Sequence, residues 1–139
     1  MNTPVLADSS ALIALFRRDD QHHDAAERAL TALQEAGRKL ILTTDIFSEV
    51  VTAVRRRMGY DKAVFVGETL RTTGLLRMVG VDDSVRGLAW TRFKALRIPH
   101  LSLTDCTSFE TMDRLGIREA FTFDADFKKA GYRIVPAQG

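Results

Sequence analysis

A single cysteine, Cys106, leaves the chain unable to close an internal disulfide, which excludes a disulfide-stapled module and makes a reducing cytoplasm its expected home. Long apolar runs are missing as well: nothing approaches the ~20 residues a membrane helix needs. The opening segment has no basic n-region, and Asp8, Ser9 and Ser10 break its apolar stretch, so no signal peptide is expected. Three prolines and nine glycines are scattered without forming a linker, and no repeat or low-complexity tract marks a boundary, so residues 1–139 are expected to form one domain. Charge of one sign is lacking too. Twenty Lys and Arg against eighteen Asp and Glu give +2, which neither demands nor excludes a polyanionic partner.

What remains is an ordinary globular composition, 45% hydrophobic and 27% charged. A chain of this length buries roughly two thirds of its unfolded surface and needs no staples to fold. The basic residues are not evenly spread: they gather at Arg17-Arg18, at Arg55-Arg56-Arg57, and through Arg71 and Arg77 to Arg86, Arg92, Lys94 and Arg97. Each cluster reads first as a solvated helix face. Arginine outnumbers lysine, however, and its planar fork suits phosphate.

Hydrophobic spacing predicts strands alternating with helices. Thr3 to Ala7 reads as a buried strand and Ser9 to Arg18 as a helix with Leu12, Leu15 and Phe16 on one face. A second helix begins at Asp20 or Gln21, carries Ala26, Ala29, Leu30 and Leu33, and ends at Gly37. Lys39 to Thr43 forms the next strand. Thr44 is the expected cap of a helix from Asp45 to about Met58, with Phe47, Val50, Val51 and Val54 at i, i+3, i+4 and i+7. Asp61 is expected to cap a helix running to Gly74, followed by a strand from Leu75 to Val81. Asp82 caps a helix carrying Val85, Leu88, Ala89, Phe93 and Leu96, and Pro99 lies beyond its end. Thr104 caps a shorter helix whose inner face is Phe109, Met112 and Leu115, and Gly116 ends it. Ala120 to Phe123 and Tyr132 to Val135 read as the last strands. This alternation implies an α/β/α sandwich around a mostly parallel sheet of about five strands.

In such sheets ligands gather outside the carboxyl ends of the strands. Asp8 and Asp124 follow two strand ends, Asp105 lies in the first turn of its helix, and Glu49 lies one turn into the helix after strand two. Parallel strands would bring all four acids to one edge. Carboxylates that close raise each other's pKa unless a cation lies between them, and Mg²⁺ takes a few carboxylates together with water and phosphate oxygens. Each acid taken singly has a plainer role: Asp8 as a helix cap, Asp105 as a first-turn acid, Glu49 as a surface residue, Asp124 as a turn residue. Spacing alone reaches an acidic metal site and no further.

Three stretches carry a resemblance. Val5-Leu6-Ala7-Asp8-Ser9-Ser10 is similar to the first motif of PIN domains, a strand delivering an acid followed by small hydroxyl residues. Leu103-Thr104-Asp105-Cys106-Thr107-Ser108-Phe109, continuing through Met112 to Leu115-Gly116-Ile117, resembles the helix carrying the family's third acid. Phe121-Thr122-Phe123-Asp124-Ala125-Asp126-Phe127 is similar to its closing motif, and Glu49 matches its second acid. The likeness runs from about Val5 to Phe127. It implies a Mg²⁺- or Mn²⁺-dependent ribonuclease with Asp8, Glu49, Asp105 and Asp124 as catalytic metal ligands. Ser9 and Thr122 would support them; Asp126 would hold an outer-shell water or face solvent. It also implies a VapC-type toxin of a toxin–antitoxin pair, a homodimer silenced by an antitoxin tail lying in the acidic groove.

Other features are weighed against this. His22 and His23 are expected on solvated surface away from the acids, Cys106 as a small buried residue, and Trp90 in the core or a dimer interface. Arg55, Arg56 and Arg57 close the helix of Glu49 and are the first choice for RNA backbone contacts, the alternative being a cation-rich helix end favoured by the dipole. A receiver-like phosphoacceptor would need an aspartate ending strand three and a lysine ending strand five, and the latter is missing. A haloacid-dehalogenase-type phosphatase would need Asp-x-Asp where Asp8-Ser9-Ser10 stands. A non-catalytic metal- or RNA-binding module on the same fold is the remaining alternative.

Overall fold

The computed structural model describes residues 2–137. Five short strands, β1 (Val5–Ala7), β2 (Leu40–Thr43), β3 (Leu76–Val79), β4 (Glu119–Phe121) and β5 (Arg133–Val135), form one sheet in the order β3-β2-β1-β4-β5. Every neighbouring pair is parallel. The helices between them are α1 (Ser9–Phe16), α2 (His23–Glu35), α3 (Thr44–Met58), α4 (Tyr60–Thr72), α5 (Asp83–Leu96), α6 (Leu103–Leu115) and the single-turn α7 (Asp126–Lys129).

Side chains alternate across a strand, and the two cores divide accordingly. Val5, Ala7, Leu40, Leu42 and Phe121 face one layer, packed with Leu12, Ala26, Val50, Val54, Val66 and Leu70 of α1 to α4. Leu6, Ile41 and Ala120 face the other, packed with Ala89, Phe109, Met112 and Phe127 of α5 to α7. Strands covered on both faces have no polar side to show, which is why β1 and β2 are buried throughout. The expected α/β/α sandwich is what forms. Among the described residues no helix is long and apolar enough to cross a membrane.

The strand order locates the ligand site. The chain lays β2 and β3 to one side of β1, then returns to lay β4 and β5 on the other, so the order reverses between β1 and β4. Ligands of open parallel sheets bind outside the strand ends at that reversal. The order also removes the receiver-like alternative, whose sheet runs 2-1-3-4-5.

Local details differ from the sequence reading. The helix after β2 is capped by Thr43, whose Oγ1 accepts the Ile46 amide at 3.0 Å, rather than by Thr44. The first of the two adjacent threonines keeps extended backbone angles and so holds the cap. Gly59, at φ 92°, both stops α3 and opens α4, so Asp61 lies inside the first turn instead of capping it. Ser102, not Thr104, caps α6, through a capping box shared with Asp105. α1 stops at Phe16, two residues short of Arg18, α2 starts only at His23, and both β3 and β4 are shorter than expected. Leu88 and Leu115 are exposed rather than core, and Trp90, expected in the core or a dimer interface, is not in the core. The buried stripe of α5 is only Val85 and Ala89 with Phe93 and Leu96 partly covered, and Leu88 and Trp90 lie about 100° to either side of Ala89. α7 has too few residues to leave a periodic signal.

Candidate functional site

Strand pairing places the acids. The Asp8 amide donates to the Phe121 carbonyl at 3.0 Å, continuing the β1–β4 ladder one residue past the strand end. Asp8 therefore leaves the sheet beside the loop 122–125 that carries Asp124. Asp8 stands at the N-cap of α1, but its carboxylate caps nothing. It is 2% exposed, and its Oδ2 accepts two hydroxyls, Thr122 at 2.8 Å and Ser10 at 3.0 Å.

Each hydroxyl has a second task. Thr122 Oγ1 also accepts the Asp124 amide at 2.9 Å, and Ser10 Oγ accepts the Phe123 amide at 3.0 Å. Two small side chains thus bind the first acid and fix the backbone presenting the last. The other Asp8 oxygen, Oδ1, is buried with no hydrogen-bond partner among the described residues. Burial pushes the Asp8 carboxyl up to about 6; the Thr122 and Ser10 hydrogen bonds oppose this and nearby Glu49 adds to it.

Asp105 is held by the box that starts α6. Its amide donates to Ser102 Oγ at 3.0 Å, and its Oδ2 accepts the Ser102 amide at 3.1 Å. It is 7% exposed, and burial first, then the charges of Asp8 and Asp124, push its carboxyl up to about 7. Asp124 turns back on its own loop, its Oδ1 accepting the Asp126 amide at 2.9 Å. One oxygen each of Asp105, Asp124 and Asp126 lie within 4.8 Å of one another. Asp126 is therefore a buried neighbour of the cluster and does not face solvent, although Lys129 approaches it at 3.6 Å.

Glu49 comes in from α3, where the Ser9 hydroxyl donates to its Oε1 at 2.5 Å. It stands between two open depressions. One, of about 410 Å³, is lined by Asp45, Ser48, Thr52, Arg56 and Thr104 together with Glu49. The other, of about 340 Å³, is lined by Ser9, Ser10, Asp20, His22 and Arg57 together with Glu49. At about 100° per residue three consecutive arginines cannot share a face. Arg56 and Arg57 flank Glu49 two turns further on, while Arg55 lies over the Tyr60 ring at 5.0 Å and lines an apolar recess between α3 and α4.

The histidines also depart from expectation. His22 stacks on Phe123, beside Asp124 in the chain, with ring centroids 4.2 Å apart. His23 is 13% exposed, bonded to the Ala14 carbonyl at 2.7 Å and to Glu27 at 2.7 Å. Their sequence position six and seven residues beyond the end of α1 gave no hint that the chain folds back there. Cys106 is buried as expected, and its thiol is pushed up to about 11 by burial and then by Asp105, which leaves it inert as a nucleophile.

The donors are hard carboxylate oxygens: those of Asp105, Asp124 and Asp126 lie together, and Asp8, whose charge acts on Asp105, has one buried oxygen without a hydrogen-bond partner among the described residues. A buried carboxylate oxygen without a partner is costly, and a hard divalent cation relieves that cost with the ligands it prefers. The residues fit such an ion.

Residues 5–131 match the model of the PIN domain. The chain belongs to the PIN domain family, and it is a nuclease of that class. Nucleases of this class generally use a divalent cation, with which the acidic triad is compatible. The chain is similar to the 23S rRNA-specific endonuclease VapC20 of Mycobacterium tuberculosis, from strain CDC 1551 / Oshkosh and from strain ATCC 25618 / H37Rv. Each is 29% identical over 129 residues, 92% of this chain and 95% of the relative. The crystal structure of Mycobacterium tuberculosis VapC20, described as a sarcin-ricin loop cleaving toxin, aligns with a TM-score of 0.82 at 27% identity, covering 92% of this chain and 95% of that one.

Proposed function

We propose that the protein is a Mg²⁺- or Mn²⁺-dependent endoribonuclease and the toxin of a type II toxin–antitoxin pair, acting in the cytoplasm as a homodimer. The observation that carries the reading is the carboxylate cluster at the β1–β4 reversal, with Asp8 Oδ1 lacking a hydrogen-bond partner among the described residues. Asp8, Asp105 and Asp124 would hold the ion, with Glu49 and Asp126 completing the acidic wall. Bound there, a divalent cation supplies charge neutralisation and Lewis-acid polarisation of the phosphodiester.

The chain's own groups do the rest. Thr122 and Ser10 hold the Asp8 carboxylate in one orientation, and Ser9 does the same for Glu49. Glu49 is the half-buried acid that faces both depressions, so it is placed to take a proton from an attacking water. Arg56 and Arg57, one in each depression, are placed to bind RNA phosphates on either side of the cut. The named relatives cut 23S rRNA, and a structured ribosomal RNA is the first substrate to try.

Cleavage of labelled total RNA tests the reading, with Mg²⁺ or Mn²⁺, with chelator, and beside an Asp8→Asn/Asp105→Asn double variant prepared identically. Metal-dependent cutting that the double variant lacks is expected. Cutting that survives both chelator and substitution would refute it.

A further inference from the structure

The depression bordered by Arg57 contains an aromatic feature that the acid chemistry does not use. The His22 imidazole lies flat on the Phe123 ring, with centroids 4.2 Å apart and planes 6° from parallel. His22 is half-buried and lines the depression beside Ser9, Ser10 and Glu49.

Both halves of the stack are held in place. The Phe123 amide donates to Ser10 Oγ at 3.0 Å, and Ser10 Oγ donates to Asp8 Oδ2 at 3.0 Å, so one hydroxyl joins the platform to the first acid. On the other side, the His22 amide donates to Asp20 Oδ1 at 2.8 Å and its carbonyl accepts the Ala26 amide at 2.9 Å. Next to it, His23 ties the start of α2 to the Ala14 carbonyl of α1. A ring presented by a turn fixed at both ends loses little entropy on taking a ligand. Arg57 lines the same depression and has no carboxylate within ion-pair distance among the described residues. The depression on the Arg56 side offers Ser48, Thr52 and Thr104 but no aromatic ring. The two sides of Glu49 are therefore chemically unequal.

We propose that the His22 side is a nucleobase subsite: a base flanking the cut stacks on the imidazole, and Arg57 takes a neighbouring phosphate. The inference rests on the ribonuclease reading above and gives the cleft a direction. Base preference resides on the His22 side, and the Arg56 side grips the backbone without regard to sequence.

The test uses uridine hexamer RNAs carrying one 2-aminopurine at each position in turn, bound to the Asp8→Asn protein so that cleavage does not intervene. The same background also carries His22→Ala and His22→Phe. The Asp8→Asn protein and its His22→Phe form are expected to quench 2-aminopurine at one or two adjacent positions. His22→Ala is expected to lose that quenching and to bind about five- to a hundredfold more weakly. Should His22→Ala fail to fold, His22→Leu replaces it with the same expected loss, keeping bulk on Phe123 without a second ring face. Quenching unchanged by His22→Ala overturns the proposal. So does weakened binding that His22→Phe does not restore while the proteins melt alike, and so does a parent that quenches at no position. Cleavage by the unaltered protein is scored separately: cutting with no stacking defeats only the subsite, and stacking with no cutting defeats only the nuclease reading.

Discussion

The Thr122 hydroxyl donates to Asp8 Oδ2 at 2.8 Å, joining residues 114 positions apart in the chain, while its oxygen accepts the Asp124 amide at 2.9 Å. One wholly buried side chain therefore does two things at once. It stabilises the ionised form of Asp8 against burial, and it sets the backbone from which Asp124 projects. The coupling follows from topology, because only adjacent parallel β1 and β4 bring the two strand ends within a hydroxyl's reach.

Replacing Thr122 by Val keeps the shape and deletes both bonds. The Asp124 amide is left without that partner, a loss of about 1–3 kcal/mol of stability. The Asp8 carboxyl loses the hydrogen bond that most strongly lowers its pKa. The low-pH limb of the cleavage profile is expected to move toward higher pH, with metal affinity weakened at neutrality. A pH–rate profile of T122V that merely scales down, with no shift of its acid limb, would reduce Thr122 to a packing residue.

Asp8 and Asp105 both have native pKa values raised above the ordinary 3.8, to about 6 and about 7. Without metal the native state thus holds more protons than the unfolded state across the window from about pH 4 to pH 7. By linkage, the stability these two groups contribute is full below that window and lost as pH rises through it. A divalent cation competes with the same protons, so its stabilisation runs the other way. Differential scanning fluorimetry should show millimolar Mg²⁺ raising the melting temperature several degrees, roughly, more at pH 8 than at pH 5. An equal rise at both pH values, or the same rise in an Asp8→Asn/Asp105→Asn variant, would count against a cation at these acids.

Asp8→Asn separates function from fold. At pH 8 the native Asp8 is an ionised group in the interior with an unpartnered oxygen. Removing the charge is expected to raise the melting temperature of the metal-free protein while lowering cleavage about a hundredfold or more. A structural aspartate would behave oppositely, losing stability with its charge. Circular dichroism melts beside cleavage rates would tell the two cases apart.

Much of this was legible in the sequence because the signals were redundant. The alternation of buried strands with amphipathic helices named the layers, and the acids after β1 and near β4 pointed to the strand-end crevice. The features that escaped were those fixed by neighbours distant in the chain or by choices between equivalent residues. Thr43 against Thr44, and Ser102 against Thr104, offer the same hydroxyl chemistry to the same helix, and only backbone angles decide between them. His22 gives no periodic signal, and its contact with Phe123 exists only because the α1–α2 turn folds over the β4 loop. Asp126 read as a holder of an outer-shell water or a solvent-facing residue, and the short α7 that buries it has too few residues to announce itself.

The arginine run shows where spacing alone misleads. Arg55, Arg56 and Arg57 read as one basic cluster, yet α3 fans them over more than half a circle. Arg55 lies on Tyr60, whereas Arg56 and Arg57 each border one of the depressions beside Glu49. If phosphate contacts release counterions, each lost contact should lower the slope of log affinity against log salt by about 0.7 for single-stranded RNA. Arg56→Ala and Arg57→Ala are expected to lower it by that much each and to add in the double variant, because on the proposed reading the two depressions take different phosphates. Arg55→Ala should leave the slope unchanged and act, if at all, on the stability of the α3–α4 junction. Fluorescence anisotropy with a labelled single-stranded RNA, titrated across salt in the Asp8→Asn background, reads all four variants. A slope that falls equally for Arg55→Ala would mean that RNA runs over the outer face of α3 and α4 instead of through the acidic cleft.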